Sequence, residues 1–310
     1  MRYSFIQQQE GRFSVSALCR ALRVSRSGYS AWKRRRPSRR AKEEQSLLIE
    51  IRAAHQESKG TYGSPRIHRD LLAREFTCSE NRVARIMRKY DITARPLRQY
   101  VTTTDSNHPL PVAPNRLERK FTAEEPNTHW SADITYLRTG EGWLYLAVVL
   151  DLYSRRVIGW SMRDTLDRSL PLAARESALS QRNPEAGLIC HSDRGSQYAS
   201  GDYQTLLTEA GAVCSMSRKG NCYDNAKGNC YDNAKGNCYD NAPVESFFAS
   251  LKRELIHRQT FATREEARGA VFEWIVVWYN RKRRHSTLGY LSPEKFEQQH
   301  LSHEPMRRAA

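Results

Sequence analysis

Three acidic residues, each inside a distinctive motif, constrain this 310-residue chain more than any other feature. Asp133 lies in HWSADITYL, Asp193 in ICHSDRGSQY and Glu245 in DNAPVESFFASLKREL. The octapeptide KGNCYDNA is repeated three times between the second and third motifs, over residues 219–242. There are 51 residues between Asp193 and Glu245, and without the 16 residues of two surplus octapeptides the interval is 35. The order and spacing of these carboxylates indicate a phosphoryl-transfer site for nucleic acid.

The chemistry explains why carboxylates are needed. Cutting or joining a phosphodiester requires an activated oxygen nucleophile, a stabilised leaving oxygen and neutralisation of a crowded anion, and two divalent ions can supply all three. Hard oxygen ligands suit Mg²⁺ or Mn²⁺. The alternative for each residue is an ordinary surface or capping acid, as most of the 34 acidic residues must be. Within the same domain, Asp151, Asp164 and Asp167 are rival candidates.

The three motifs and the 35-residue interval resemble those of the insertion-sequence-three (IS3) family of DDE transposases, which are relatives of retroviral integrases. The resemblance covers roughly residues 10–298. It implies an α/β ribonuclease H-like catalytic core of the retroviral-integrase type, preceded by all-α helix-turn-helix DNA-binding modules. It also implies two bound ions, Mg²⁺ or Mn²⁺, with Asp133 bridging both while Asp193 and Glu245 hold one each.

The same resemblance implies partners. The family acts as a multimer on double-stranded DNA, at the transposon ends and at the target, so we expect a homo-oligomer on DNA. Many members are made as the downstream half of a frameshifted fusion, so an upstream open reading frame is an expected partner. The zinc-binding module of retroviral integrases is missing from this sequence, which has no C-x-x-C pair.

Charge is concentrated in the first third of the chain. Residues 1–100 carry 23 basic and 9 acidic side chains, nearly the whole net charge of +16. This imbalance favours a nucleic-acid-facing module joined to a nearly neutral domain. Solubility alone, or a membrane-surface patch, are the alternatives.

Two pairs of short helices are predicted in this basic third. In the first pair, an apolar stripe spans Ser14–Leu22, and Ser25 caps a helix that runs toward Trp32. In the second pair, Ser64 caps a helix with Ile67, Leu71 and Leu72 buried, and Ser79 caps the next helix. The polar faces of that last helix supply the predicted DNA-binding residues Asn81, Arg82, Arg85, Arg88 and Lys89. An amphipathic helix with a solvated basic face is the alternative, but the segment HQESKGTYGSPRIHRDL resembles the family's helix-turn-helix stretch.

In the second half, alternating residues predict strands over 129–137, 143–151 and 156–162. On the first strand we expect Trp130, Ala132, Ile134 and Tyr136 on one face and Asp133 on the other. A helix over 167–181, a strand over 188–191, a helix over 200–210 and a strand over 212–216 follow. A β-meander followed by α-β-α-β agrees with the fold that the resemblance implies. His191 and Gln197 flank Asp193 without an assigned role.

The helix that carries Glu245 supplies a further candidate. Pro243 suits its first turn, after a cap at Asn241 or Ala242. Lys252 lies two turns beyond Glu245, where the resemblance implies a basic residue that contacts transposon-end DNA; the alternative is a solvated lysine. A later basic cluster predicts a second DNA-contacting surface or a solvated helix end, and its candidate residues are Arg281, Arg283 and Arg284.

The triple octapeptide departs from the family pattern, which has one copy. Its Gly, Asn, Asp and Lys content predicts a loop. Sixteen extra residues in a loop cost less than about 1 kcal/mol in closure entropy, so we expect the fold to survive. Activity is less secure, because the bulge can obstruct DNA and its aspartates can compete for metal. Those aspartates are Asp224, Asp232 and Asp240.

The predicted organisation has five parts. Residues 1–40 form a helix-turn-helix-like segment, 41–100 a second DNA-binding module, 101–126 a Pro-rich linker, 127–298 the catalytic core with the repeat loop at 219–242, and 299–310 a tail. Scattered cysteines and the lack of a long apolar run predict a reduced, cytoplasmic protein at the bacterial nucleoid, without membrane contact. The predicted function is transposition by strand cleavage and strand transfer. The alternative is a catalytically impaired derivative that binds the element's ends and competes with an active copy.

Overall fold

The structure, a computed structural model, describes residues 2–36, 38–94, 113–118, 121–217 and 241–307, with side chains as far as residue 301. The chain divides into two compact units, Met1–Thr93 and Ala94–Ala310. Most of the predicted linker and all but the last two residues of the octapeptide repeat lie outside the described residues.

The first unit is helical. Its helices are α1 (Arg2–Gln9), α2 (Val15–Ala21), α3 (Arg26–Arg34), α4 (Arg39–Glu57), α5 (Ser64–Ala73) and α6 (Glu80–Lys89). Two of them, α1 and α4, were not predicted. The apolar stripe of α4 begins only at its third turn, after the charged stretch RRAKEEQ, and its buried residues are Leu47, Leu48, Ile51 and Ala54.

Two of the three predicted caps of this unit, Ser25 and Ser79, are confirmed, and Ser14 caps α2 without having been predicted. The hydroxyl of Ser14 accepts a hydrogen bond from the Ala17 N–H at 3.3 Å, Ser25 accepts from Gly28 at 2.9 Å, and Ser79 accepts from Arg82 at 3.3 Å. Two details of α5 are wrong. Gly63, not Ser64, occupies the cap position, and Leu72 is 41% exposed because the buried stripe consists of Ile67 and Leu71.

The second unit contains a five-stranded mixed sheet. Its strands are β1 (His129–Thr139), β2 (Gly142–Asp151), β3 (Val157–Arg163), β4 (Ile189–Ser192) and β5 (Val213–Met216), arranged β3-β2-β1-β4-β5. The β1–β2 and β2–β3 pairs are antiparallel, and the β1–β4 and β4–β5 pairs are parallel. Helices α7 (Ser169–Arg182) and α8 (Gly201–Glu209) complete the predicted β-meander and α-β-α-β order, which is confirmed.

The C-terminal part of this unit is helical and irregular. It comprises α9 (Ala242–Glu254), a 3₁₀ turn (Ile256–Arg258), α10 (Arg264–Phe272) continuing into a π-helical segment (Glu273–Tyr279), a 3₁₀ turn (Ser286–Leu288) and α11 (Pro293–Arg307). In the part of the chain that the structure describes, no helix is long and apolar enough to span a bilayer.

Alternate residues of the strands pack into two different hydrophobic clusters. One joins Trp130 and Ala132 to residues of α7 such as Ala174, and the other joins Leu137 to Phe247 of α9. Tyr136, which was expected on the same face of β1 as Trp130, does not share the burial of Trp130. Tyr136 is 40% exposed, because near the end of the β1–β2 hairpin its ring meets Trp143 rather than the core.

Candidate active site and nucleic-acid surfaces

Strand pairing brings Asp133 and Asp193 together. Ala132 of β1 is paired with Ser192 of β4 in parallel register. Asp133 and Asp193 are the next residues along these two neighbouring strands, so both carboxylates emerge at the same place in the sheet. The Asp193 Oδ1 atom accepts a hydrogen bond from the Gly195 N–H at 2.9 Å, which fixes the carboxylate at the start of the loop.

The pKa of Asp133 is affected by its closeness to Asp193. Burial, then the charge of Asp193 and more weakly that of Glu245, raise the pKa of Asp133 well above its ordinary value. A hydrogen bond of 2.8 Å from the Ile134 N–H opposes the increase. Because a like charge disfavours ionisation, Asp133 and Asp193 repel each other in the absence of a cation.

Glu245 lies in the first turn of α9, which begins with Ala242 and Pro243. An acidic side chain in this position is favoured by the positive end of the helix dipole. Its side chain is exposed, but the surrounding protein removes enough solvation to raise the pKa of its carboxyl to about 7. Glu245 therefore has a different environment from the aspartate pair.

Asn241 joins α9 to β1 and was predicted only as a possible cap. It is 5% exposed, and its side-chain carbonyl accepts a hydrogen bond from the Ser131 hydroxyl. Its side-chain N–H donates to the Ala132 carbonyl at 3.2 Å. This contact sets the start of the Glu245 helix beside the strand that carries Asp133.

The donor set fits a hard divalent cation. All three side chains offer carboxylate oxygens, which Mg²⁺ and Mn²⁺ prefer, and a cation would relieve the repulsion that raises the Asp133 pKa. Among the side chains that the structure describes, no group of three or more His, Cys, Asp or Glu residues forms a ready metal cluster. The fit is therefore one of chemistry and proximity, and the number of ions does not follow from it.

Tyr198, which the sequence prediction missed, lies against this site. It is 2% exposed, and within the described part of the chain its hydroxyl has no hydrogen-bond partner. Burial is the main cause that raises its pKa, and the charges of Asp133 and Asp193 contribute. Its position five residues after Asp193, inside SDRGSQY, was the available signal.

The other residues singled out near the site have structural contacts. His191 is buried, and its ring nitrogens lie 2.9 Å from Ser215 Oγ and 3.2 Å from Ser217 Oγ. Among the rival acids, Asp151 is buried and accepts hydrogen bonds from two backbone N–H groups. Asp167 accepts from the Ser169 N–H at the start of α7, and Asp164 is exposed.

Lys252 lies in a cleft that is lined in part by β1 and β2. The lysine is 7% exposed, and its Nζ lies 5.4 Å from the centre of the Tyr136 ring. Loss of solvation lowers the pKa of Lys252 to about 8. Lys252 is thus held by the protein rather than extended into solvent.

The basic cluster after the π-helical segment is divided between core and surface. Arg283 is 3% exposed, and its guanidinium donates to the Glu254 carboxylate at 2.9–3.1 Å. Its predicted place on a DNA-contacting surface is corrected, because a side chain in this buried ion pair belongs to the core. Arg281 is exposed, with Nε 3.7 Å from Glu294, and Arg284 donates to the Tyr290 carbonyl at 3.1 Å.

The second helix pair presents the other predicted surface. Asn81, Arg85 and Arg88 of α6 are exposed, while Arg82 and Lys89 form ion pairs with Glu43 and Glu44 of α4. A concavity of about 690 Å³ lies between these two helices, and its lining residues are Arg39, Arg40, Glu43, Ser79, Asn81, Arg82 and Arg85.

Comparison with known proteins gives consistent matches. Models of two families, described as integrase core domains, match residues 123–222 and 245–301, and one described as an HTH-like domain matches residues 42–100. The chain is 44% identical over 304 residues to transposase InsF for insertion sequence IS3A of Escherichia coli (strain K12), which covers 97% of this chain and 100% of the relative. It is 40% identical over 283 residues to an uncharacterized 31 kDa protein of insertion element IS600 from Shigella sonnei, covering 91% of this chain and 98% of the relative.

The solved structures that the chain matches include viral integrases. The catalytic core domain of HTLV-2 integrase in complex with magnesium has a TM-score of 0.40 at 15% identity, covering 56% of this chain and 98% of that one. A simian T-cell lymphotropic virus intasome in complex with PP2A regulatory subunit B56 gamma has a TM-score of 0.42 at 14% identity, covering 78% of this chain and 72% of that one. Together with the observed sheet order, the integrase-core and HTH-like matches confirm the expected fold class.

Proposed function

The chain belongs to the IS3 family of insertion-sequence transposases, and from this premise we propose that Asp133, Asp193 and Glu245 catalyse strand cleavage and strand transfer at the ends of the element. One observation carries the assignment. The parallel pairing of β1 with β4 brings Asp133 beside Asp193, and burial together with the charge of Asp193 raises the Asp133 pKa. Clusters of carboxylates with strongly shifted pKa values are typical of catalytic sites.

Each residue has a separate task in this proposal. Asp133, Asp193 and Glu245 would hold the divalent ions, with Asp193 and Glu245 as ligands of one ion each and Asp133 as a ligand common to both. The ions, Mg²⁺ or Mn²⁺, would supply activation of the attacking oxygen and neutralisation of the leaving oxygen. The Gly195 N–H orients Asp193, the Ile134 N–H orients Asp133, and Asn241 holds the helix that carries Glu245.

The remainder of the chain supplies DNA binding. The module of residues 41–100 binds the transposon ends through α6, where Asn81, Arg85 and Arg88 are exposed. Arg82 and Lys89 of the same helix, which form ion pairs with Glu43 and Glu44, contribute to the same surface. Lys252 contacts the end beside the active site, and Arg281 and Arg284 contribute a further basic surface. The segment 1–40, the linker 101–126 and the core 127–298 are the other parts of the proposed organisation. The protein works as a homo-oligomer on paired ends, with an upstream-ORF partner or frameshift fusion, in the bacterial cytoplasm at the nucleoid.

Strand cleavage and joining on labelled DNA that carries the element's own ends tests this proposal. The reaction is run in Mg²⁺, in Mn²⁺ and in EDTA with the unaltered chain, Asp133→Asn and the matched control Asp164→Asn, which changes an exposed acid outside the site. We expect metal-dependent joining that Asp133→Asn abolishes and Asp164→Asn preserves. Joining that survives Asp133→Asn would reject the assignment.

The triple octapeptide favours a second candidate function, an end-binding competitor with an inactive core. The repeat at residues 219–242 lies between Asp193 and Glu245 in the sequence and contains Asp224, Asp232 and Asp240 as potential competing ligands. Deletion of residues 219–234 restores a single copy. If only the deleted form joins DNA while the unaltered chain binds it without reaction, the competitor is the correct function.

A further inference from the structure

A cleft of about 700 Å³ opens beside the proposed active site. It is lined by the end of the β1–β2 hairpin, the last turn of α9 and the residues that follow α9. Its volume is within the range of pockets that hold small ligands, roughly 300–1,000 Å³. Nothing in the proposed reaction accounts for the aromatic residues that line it.

Two aromatic side chains form one wall of the cleft. Tyr136 is 40% exposed and Trp143 is 46% exposed, and their ring centroids lie 5.1 Å apart in an edge-to-face arrangement. The hairpin positions both residues, because Tyr136 is paired with Tyr145 and Trp143 with Arg138 in antiparallel register. Rigid, exposed aromatic rings in a cleft are suited to stacking with a planar group.

Basic and polar side chains line the same cleft. Lys252 places its Nζ 5.4 Å from the centre of the Tyr136 ring, and Arg138 is exposed at the rim. His257, Gln259 and Thr260 add exposed polar groups. Cations next to an aromatic platform are the combination by which proteins hold single-stranded nucleic acid, with phosphate on the cations and the base on the ring.

The distance between the cleft and the proposed catalytic carboxylates is appropriate for a nucleic-acid strand that reaches both. Tyr136 is three strand residues beyond Asp133, about 10 Å along β1, and Lys252 is seven helical residues beyond Glu245, again about 10 Å along α9. Duplex DNA advances 3.4 Å for each nucleotide of a strand, so the cleft lies about three nucleotides from the carboxylates.

We propose that this cleft binds an unpaired nucleotide of the element's DNA end, with the base against Trp143 and Tyr136 and the phosphate toward Lys252 and Arg138. The ligand must be unpaired, because a base that is paired and stacked inside a duplex cannot offer its face to a side chain. The inference rests on the proposed function, since it takes the DNA end at the carboxylates as the substrate. Binding of the unpaired nucleotide in the cleft would stabilise the separated state of the terminal base pairs.

A local fluorescence measurement tests this proposal separately from catalysis. The probe is a duplex of the element's terminal repeat with 2-aminopurine at the third nucleotide from the reacting phosphate, opposite a gap so that the base is unpaired. It is bound by the full chain carrying Asp133→Asn, so that no strand is cut. We expect stacking in the cleft to quench the 2-aminopurine emission.

Three variants in the same Asp133→Asn background assign the signal. A Tyr136→Leu plus Trp143→Leu double substitution should lose the quenching, and Tyr136→Phe, which keeps the ring, should retain it. Phe272→Leu is the matched control, because Phe272 is 51% exposed and belongs to α10 outside the cleft. On a short unpaired strand the double variant should bind about fivefold to 150-fold more weakly, the range expected from loss of base stacking.

The outcomes separate the two proposals. Quenching that is unchanged in the double variant overturns the cleft proposal, even if the Asp133-dependent joining reaction is intact. A change of oligomeric state in the double variant, without a change in quenching, identifies the cleft as a protein-docking surface and also overturns it. Quenching that depends on Tyr136 and Trp143 supports the cleft proposal, even if the unaltered chain joins no DNA and the proposed function fails.

Discussion

The Asn241 side chain accepts a hydrogen bond from the Ser131 hydroxyl inside the core of the second unit. Asn241 lies four residues before Glu245, and Ser131 lies two residues before Asp133. The contact therefore connects two of the three motifs directly. Asn241 also belongs to the last octapeptide, so the end of the repeat has a defined place in the fold.

Replacing Asn241 with alanine should weaken both stability and joining. The Ser131 hydroxyl and the Ala132 carbonyl would lose partners in a buried place, a cost of about 1–3 kcal/mol of unfolding free energy. Urea denaturation measures this loss, and the joining assay measures the displacement of Glu245. Ser246→Ala, an exposed position on the same helix, should change neither. Equal stability of both variants would mean that the contact does not hold α9.

The buried ion pair between Glu254 and Arg283 yields a second prediction. Glu254 is 3% exposed, and although burial alone would raise its pKa, the adjacent Arg283 guanidinium keeps the pKa below its ordinary value. Arg283→Met leaves a buried carboxylate without its main partner, so we expect a loss of about 3–5 kcal/mol of unfolding free energy. Denaturation by urea provides the measurement. Arg168→Met is the control, because Arg168 and its partner Asp202 are 67% and 55% exposed, and it should cost less than about 1 kcal/mol.

The raised pKa of Glu245 predicts how the stability of the metal-free protein depends on pH. This pKa is about 7 in the folded chain, compared with an ordinary value near 4.5. A carboxyl with a raised folded pKa contributes stability below the unfolded pKa and loses it as pH rises through the folded value. The melting temperature should therefore fall between pH 5 and pH 8 by more in the unaltered chain than in Glu245→Gln. Added Mg²⁺ or Mn²⁺ should reduce this fall, and parallel pH curves for the two proteins would contradict the prediction.

Close packing of α7 on β3 predicts the effect of a single methyl group. A Cβ atom at Gly159 would lie 2.3 Å from the Ala174 carbonyl oxygen and 2.7 Å from the Ala178 Cβ atom. The backbone must shift to admit it, so Gly159→Ala should destabilise the protein by about 1–3 kcal/mol or more. At Gly201 an added Cβ meets no atom of the described residues within 4 Å, so Gly201→Ala is the control and should be neutral or slightly stabilising. Differential scanning calorimetry of both variants measures the contrast.

The order of strands and helices in the second unit could be predicted, because the residue patterns that specify each element lie within short stretches of the sequence. Alternating residues around Asp133 specify a strand, and the predicted order of elements is confirmed. The contacts that hold the site together are not local. Ser131 and Asn241 are 110 residues apart, and within an octapeptide written three times Asn241 has the same neighbours as loop residues.

The errors have the same physical origin. Arg283 lies in a run of basic residues, which looks the same in sequence whether each residue faces solvent or pairs with a distant acid such as Glu254. Tyr136 continues an apolar alternation, but burial depends on what covers the strand, and the end of the hairpin is exposed. Helix α4 was missed because its first turns are charged, and its burial depends on contacts with other helices of the first unit.

The final prediction concerns DNA binding by α6. Arg85 is exposed and lines the concavity between α4 and α6, whereas Arg74 of the same unit lies 2.6 Å from Glu57 and 3.6 Å from Glu50. If Arg85 neutralises one phosphate of the end, Arg85→Ala should reduce the slope of log affinity against log salt by about 1. Arg74→Ala is the matched control and should leave the slope unchanged, because its charge is already paired. Electrophoretic mobility shift across a salt series, with terminal-repeat DNA and with an unrelated duplex, provides both slopes. A reduced slope on both DNAs assigns Arg85 to the backbone, a loss confined to the terminal repeat assigns it to a base edge, and no change on either removes α6 from the DNA interface.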